Sequence, residues 1–445
     1  MNAFRRSLRH HNPFSSTYDV LYYTLSNTRI NSINNGVKNM SELLIRPAHN
    51  DHRLIETLLS TTGGVRKLRR PFSRLVLDAH VAAKQPVFVE AARASGTPVL
   101  VDPLTFFLQD EVTVGDSWER LPYGRASAVP MTELEEPSVQ DKLISSVIEF
   151  ELRYGATALI APYLLLDDDP GTLRVNLKLL TQTRSYMERH DIQLPLIAVL
   201  AMPASKSIAG VAHQSVLELF ANVASSVSTS NVALALSGTG GADDRLHHVQ
   251  MVLQDTSHLS ATGTNVIAWR QGLVGPSAVA AGACAYETGI GTRERCDLIS
   301  LQRNRRPGRP RTGHPRGAGV FIQPFGKSVP RSVATVLLDN QKLRPRLVCD
   351  SEQCCPHGAE SMLVDNRRHA VIARSRVLSD LDRMPSRDWR LNSVARDAAS
   401  GAVLADLATL VLHDSGARDV INSGALGAIA IAADLIREDG GRAAS

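Results

Sequence analysis

Long apolar runs are missing from this chain. None approaches the ~20 residues that a bilayer-crossing helix needs, so no membrane partner is expected. Two nucleotide signatures are missing as well. No Gly-x4-Gly-Lys-Ser/Thr phosphate loop occurs, and no Gly-x-Gly-x-x-Gly follows the first strand pattern. Cysteine is scarce and odd in number, five in 445 residues, which argues against a secreted disulfide framework and for a reducing, cytoplasmic setting. Charge of one sign is also scarce in excess: 49 Lys+Arg against 44 Asp+Glu leave +5. Only a local cluster could therefore argue for nucleic acid.

What is present is globular: 43% apolar and 21% charged residues, enough for a sizeable core. The first 39 residues stand apart, with a single acid, Asp19, and no helical or strand period. They read as a disordered or mis-annotated leader with translation starting at Met40. An Arg- and Ser-rich transit peptide is the alternative. Beyond residue 50, short buried-strand patterns alternate with amphipathic stretches. The strand patterns are 75–78, 99–102, 158–163, 196–202, 232–237, 266–269, 297–301 and 320–323. Helical patterns fall at 142–153, 172–189, 214–224 and 243–254. Such alternation means parallel pairing with right-handed crossovers. Eight strands over about 250 residues predict a (β/α)8 TIM-like barrel, with a doubly wound open sheet as runner-up. The barrel is placed at 40–345, a metal-binding insertion at 346–380, and a helical C-terminal segment at 381–445, whose apolar faces (Val403, Leu404, Leu407, Val411) read as core.

In a parallel barrel, catalytic groups sit at the carboxyl ends of strands. Those ends carry Asp78, Asp102, Tyr163, Met202, Ser237, Arg270, Gln271, Asp297 and Gln323. Asp102 closes an apolar strand and is followed by Phe106, a setting for holding a flat heterocycle; a local cap or an Arg pair is the plainer role. Gln271, Gly272, Leu273 and Gly275 form a Gly-bounded turn that lets backbone approach a ligand. Ser237 to Gly241 is either an anion cradle or a tight turn. Arg303, Arg305, Arg306, Arg309, Arg311 and Arg316 form a run without acids, suited to phosphates. Cys349, Cys354 and Cys355, with His357 or His369, supply four ligands for a zinc ion.

In this order, the features resemble the tRNA-guanine transglycosylase family. Val99-Leu-Val-Asp102-Pro-Leu-Thr-Phe106-Phe107 looks like that family's Asp-Ser-Gly-Gly-Phe segment. Gln271-Gly272-Leu273-Val274-Gly275 looks like its base-binding loop, and Asp297 followed by Arg303 and Arg306 like its nucleophile and tRNA-binding run. The chain departs from the family in having Pro-Leu-Thr after Asp102, no Pro-Thr before Arg303, and Cys-x4-Cys-Cys spacing. The resemblance implies a base exchange in tRNA or DNA. Asp297 would attack the anomeric carbon, Asp102 would manage the base, Phe106 and the 271–275 loop would bind it, and Cys349, Cys354, Cys355 and His369 would ligate Zn2+. A homodimer is a further expectation. The competing readings are a metabolic barrel enzyme acting on a small anion, and a non-catalytic zinc-containing nucleic-acid-binding protein.

Overall fold

Five-residue runs such as Glu42-Leu-Leu-Ile-Arg46 are too short to bury a face alone and must pair on both edges. In the computed structural model, which describes residues 40–60, 70–205, 207, 208, 211–229, 231–239, 246–308, 318–416 and 420–443, such runs assemble into one eight-stranded parallel sheet. The strands are β1 (Glu42–Arg46), β2 (Arg74–Asp78), β3 (Val99–Asp102), β4 (Leu159–Ile160), β5 (Leu196–Pro203), β6 (Asn231–Ser237), β7 (Asn265–Ala268) and β8 (Ala285–Gly289). Each pairs with its sequence neighbour, and β8 returns to pair with β1. The β3–β4 seam is joined by the Thr157 amide donating to Val99 O (2.8 Å) and by Thr105 Oγ1 bridging Tyr163 N and O (2.7 Å each). The result is a nearly closed TIM-like barrel.

The crossovers are helical: α1 (His52–Ser60), α2 (Val87–Ser95), α3 (Pro137–Arg153), α4 (Pro170–Arg189), α5 (His213–Ser226), α6 (Leu246–Ala261) and α7 (Gly275–Ala281). Proline opens α3 and α4 where no intrahelical N–H is needed, and Asp169 caps α4 by accepting from Gly171 N at 2.8 Å. After β8 the chain makes a long excursion. It contains α8 (Leu298–Arg303) and an antiparallel hairpin, β9 (Val320–Ile322) with β10 (Lys327–Val329). The excursion ends in α9 (Asn366–Arg383), which packs on β1. Asp382 of α9 accepts from Ser41 N (3.0 Å) and Ser41 Oγ (2.7 Å), fixing the entry to β1. Two long helices, α10 (Arg387–Asp414) and α11 (Gly424–Ala443), pack on each other and on α6 and α7. Residues 40–445 form one compact unit.

Two expected barrel strands are not barrel strands. Residues 297–301 are helical, because Asp297 accepts from Ser300 N (3.0 Å) and starts α8. Residues 320–322 are extended but fold back on β10 across a turn that needs Gly326 at φ 62. Their places belong to β1 and β8. β8 escaped notice because its buried run, Ala-Tyr-Glu-Thr-Gly, is half polar. The apolar stripe of α10 also divides differently. Leu404 is buried, whereas Val403 (60% exposed) and Leu407 (41%) face outward.

α10 crosses the hairpin turn at Gly401, where a Cβ would lie 2.1 Å from Pro324 O. Gly→Ala normally favours a helix by up to ~1 kcal/mol. Here overpacking against rigid backbone dominates, so Gly401→Ala is expected to cost roughly 1–3 kcal/mol. Denaturant unfolding followed by circular dichroism reads this; a stabilised variant would show that the crossing is not tight.

Candidate active site and metal centre

Parallel strands deliver their last inward side chains to one rim. On β2 and β3, Asp78 and Asp102 are register partners, so two carboxylates lie side by side. Like charges so placed repel, and two arginines lie between them. Arg46, at the end of β1, gives Nη2 to Asp102 Oδ2 (2.9 Å), Nη1 to Asp78, and Nε to Glu287 Oε1 of β8 (2.8 Å). Arg270, just past β7, reaches Asp78 Oδ1 (3.1 Å) and Asp102 Oδ2 (3.2 Å), while its amide donates to Glu287 Oε2 (3.0 Å). Its backbone sits at φ 60, a strained conformation for a residue with a side chain. Tyr163, after β4, donates its hydroxyl to Asp102 Oδ1 at 2.9 Å. Arg293 reaches Asp78 Oδ2 (2.5 Å) from the more exposed side.

Burial sets the electrostatics. It acts to raise the Asp78 carboxyl, but Arg46, Arg270 and Arg293 overcome it and hold the group well below the usual range. Burial acts to neutralise Arg46, yet Glu287, Asp78 and Asp102 keep it firmly protonated. Tyr163 is pushed well above its ordinary value by burial and Asp102, so its hydroxyl is a donor at neutral pH. At the rim, burial lowers His80 to about 4, leaving a neutral imidazole 3.1 Å from Arg305 Nη2. The cluster can hold an anion through its guanidinium groups, with the Tyr163 hydroxyl a fixed donor to Asp102. Asp78, Asp102, Tyr163 and Arg270 are strand-end residues of the sequence. Arg46 and Glu287 were missed with their strands; a charged residue inside a short apolar run was the available signal.

The other candidates take no direct part in the Arg46 network. Asp297 caps α8, with Arg295 at 3.8 Å, and takes no part in the Arg46 network. Phe106 is fully buried against Phe107 and Tyr163. Gln271 is held by Thr239 Oγ1 (2.8 Å), and Gly275 passes so close to the Tyr286 ring that a Cβ would lie 2.3 Å from it. Gly272 and Leu273 line a separate cavity beside α9 and α10. The amides of Gly238 and Thr239 both donate to Cys296 O (2.8 and 3.2 Å), which makes this a turn, with its last two glycines outside the described residues. Arg305 pairs with Asp116 and stacks on Phe107 (4.6 Å); Arg306 pairs with Asp110 (2.7 Å). Arg303 is exposed, and Arg309, Arg311 and Arg316 lie outside the described residues.

The cysteines do converge. Ser351 O accepts from both Cys354 N (3.1 Å) and Cys355 N (2.7 Å), a tight turn that lets adjacent thiols face one point. Ligand atoms of Cys349, Cys354, Cys355 and His369 all lie within 4.8 Å of one another. Both Cys354 and Cys355 Sγ are 3.3 Å from His369 Nδ1, and 3.7 Å from each other. A tetrahedral ion with metal–sulfur bonds near 2.3 Å needs edges of about 3.5–3.8 Å, so the fit is close. His369 Nε2 is 2.9 Å from Phe321 O, which leaves Nδ1 as the ligand atom. His357 is exposed and outside the cluster. Hydrogen bonds from Cys354 and Cys355 lower Cys349, and their interaction with it pushes Cys354 up to about 12 and raises Cys355 as well. This donor set can hold a metal ion. Among the described residues, no helix is long and apolar enough to cross a membrane.

No family model matches the chain, and no curated protein matches it. Several solved structures are similar over part of the chain. Dihydrodipicolinate synthase from Agrobacterium tumefaciens str. C58 is 10% identical over 61% of this chain and 77% of its own, with a TM-score of 0.31. 2,3-Dimethylmalate lyase, a PEP mutase/isocitrate lyase superfamily member, is 13% identical over 62% and 88%, TM-score 0.31. The carboxyl transferase domain of Rhizobium etli pyruvate carboxylase is 11% identical over 93% and 67%, TM-score 0.33. At this level neither fold nor chemistry passes from those proteins to this one.

The depressed Asp78 carboxyl sets a pH dependence. A lowered folded-state value contributes stability above the unfolded value of ~3.9 and loses it as pH falls through the folded one. Asp78→Asn is therefore expected to cost about 3–5 kcal/mol at neutral pH, as for one broken partner of a buried pair, and to flatten the acid limb. Urea midpoints from pH 7 to pH 3 test this; an unchanged acid slope would count against it.

Proposed function

We propose that this barrel is an enzyme acting on a small anionic substrate at the carboxyl ends of its strands. One observation carries the reading: Asp78, Asp102 and Glu287, from three strands, meet Arg46 and Arg270 in one buried cluster. Arg270 holds two partners while its Nε, also buried, has no hydrogen-bond partner. Its strained backbone is of the kind kept where function requires it. In this reading Arg270 and Arg293 exchange their carboxylate contacts for a substrate carboxylate or phosphate. Asp102 moves a proton, with Tyr163 orienting it, and Arg46 holds Glu287 and Asp78 in place. Thermal-shift titration against 2-oxo acids and sugar phosphates tests the idea. At least one is expected to raise the unfolding temperature, and Arg293→Ala is expected to weaken it roughly 10- to 100-fold, as for loss of a charge-assisted contact. Stabilisation by none of the panel would sink the proposal.

A second reading, base exchange of the tRNA-guanine transglycosylase kind, is favoured by the Cys3His cluster downstream of the last barrel strand. In it, the carboxylate that partners Asp102 is Glu287, joined to it through Arg46, while Asp297 serves α8. Among the described residues, Arg303 and Arg306 would be its exposed phosphate contacts. Exchange of labelled guanine into bulk tRNA, lost in Glu287→Gln, would move the conclusion to this reading.

Both readings take the ion at the cysteine cluster as Zn2+, which suits three thiolates and one imidazole. Cys349, Cys354, Cys355 and His369 would hold it, and its contribution is to tie α9 to the excursion after β8. Elemental analysis is expected to give one zinc per chain, lost in Cys354→Ser. A zinc content unaffected by that change would refute the site.

A further inference from the structure

Strand alternation makes β8 two-faced. Glu287 points into the barrel, so Tyr286 points out. Outside, between the β7–β8 connection, the hairpin turn, α9 and the C-terminal helices, lies a cavity of about 400 Å³. Most of its wall is apolar: Leu273, Phe321, Leu381, Met384, Leu404 and Ile429. Among the polar side chains on the wall, Arg374 and Tyr286 have buried polar atoms without a hydrogen-bond partner. Arg374 of α9 is 3% exposed, and its Nε, Nη1 and Nη2 make no hydrogen bond. The Tyr286 hydroxyl, on a fully buried ring, is also without one.

Glu294 offsets the Arg374 charge, but leaving buried donors without a well-aligned acceptor is costly, about 1–3 kcal/mol each. The stacking of Arg374 on Phe321 (4.1 Å) fixes the plane of the guanidinium without satisfying its protons. Glu294 lies 3.0 Å from Nη2 but is already engaged: its oxygens accept from Ser328 N (2.9 Å), Ser328 Oγ (2.7 Å) and Gly291 N (3.1 Å). The acids on the wall do not compete for Arg374, since Asp380 pairs with Arg383 and Asp397 with Arg396 (3.5 Å).

We propose that this cavity binds a short amphipathic carboxylic acid, its carboxylate on Arg374 and Tyr286 and its apolar body against α9, α10 and α11. A planar, forked guanidinium matches a carboxylate in two parallel hydrogen bonds. The Tyr286 hydroxyl adds a third donor. The volume lies at the small end of the ~300–1,000 Å³ range of ligand pockets, which favours a short chain over a membrane-length lipid. The site is separate from the barrel mouth, because Tyr286 and Glu287 face opposite sides of one strand. It is therefore independent of the reaction proposed above.

Calorimetric titration of the full chain with octanoate, octan-1-ol and acetate tests this. Octanoate is expected to bind, octan-1-ol at least ~10-fold more weakly for want of the charged head, and acetate not measurably. Arg374→Met should weaken octanoate roughly 10- to 100-fold, and Tyr286→Phe about 3- to 10-fold. Ala398→Leu, which adds apolar bulk to the cavity wall from α10 while keeping both donors, should abolish binding. If Arg374→Met fails to fold, the other two variants decide. Absence of octanoate binding, equal affinity for octan-1-ol, or binding indifferent to both Tyr286→Phe and Ala398→Leu overturns the proposal.

Discussion

Arg46 is the constraint on which the barrel mouth depends. It is a cation with no exposed surface, tied to carboxylates from three other strands. A network of this kind adds little net stability over well-packed apolar residues, because desolvation offsets most of the Coulomb gain. Its effect is on alternatives. Asp78 and Asp102 stand side by side only if β2 and β3 are in register, and a one-residue slip would turn an acid outward and cost Arg46 one of its three partners. Arg46 reaches Glu287 only if β8 has come round to β1. Barrel closure and mouth chemistry thus rest on the same contacts.

The parts of this that the sequence made legible are those where strand ends are sharp. Val-Leu-Val-Asp102 and Leu-Val-Leu-Asp78 are apolar runs stopped by one charge, and both deliver that charge to the mouth. Arg270 and Tyr163 were legible for the same reason. β1 and β8 were not. Glu42 and Arg46 bracket only three apolar residues, and Glu287 and Thr288 interrupt β8. A buried charge hides a strand from any pattern that equates burial with apolar residues, and two of the strands that supply the mouth cluster were so hidden. The eight-strand count came out right although two of the predicted members were a helix and a hairpin. A regular alternation constrains fold class more tightly than it constrains which segments fill each place.

The arginine run shows how composition misleads about geometry. Arg305 and Arg306 carry no local acid in sequence, yet Asp116 and Asp110 from the β3 connection meet them in space. Their charge is largely spent in holding α8 against that connection, where the Arg305 carbonyl also accepts from Thr113 N (2.8 Å). The cysteines show the converse. Adjacent Cys354 and Cys355 are poorly spaced for a zinc knot on paper, but a turn at Ser351 turns both sulfurs toward His369.

α9 joins these features into one device. His369 near its start faces the cysteine cluster, Arg374 one and a half turns on faces the outer cavity, and Asp382 near its end fixes the entry to β1. A helix is stiff over such a length, so the position of His369 sets the position of Arg374. Binding of an ion at the first residue would fix the height of the helix against the barrel wall. The Arg374 guanidinium would then sit beside Tyr286 before any ligand arrives, and preorganisation of this kind lowers the ordering cost of binding. Since Tyr286 and Glu287 are consecutive on β8, a shift of α9 that moved Tyr286 would be felt at the mouth through the backbone of that strand. With an ion bound, the cluster would act as the anchor of the helix that lines the outer cavity.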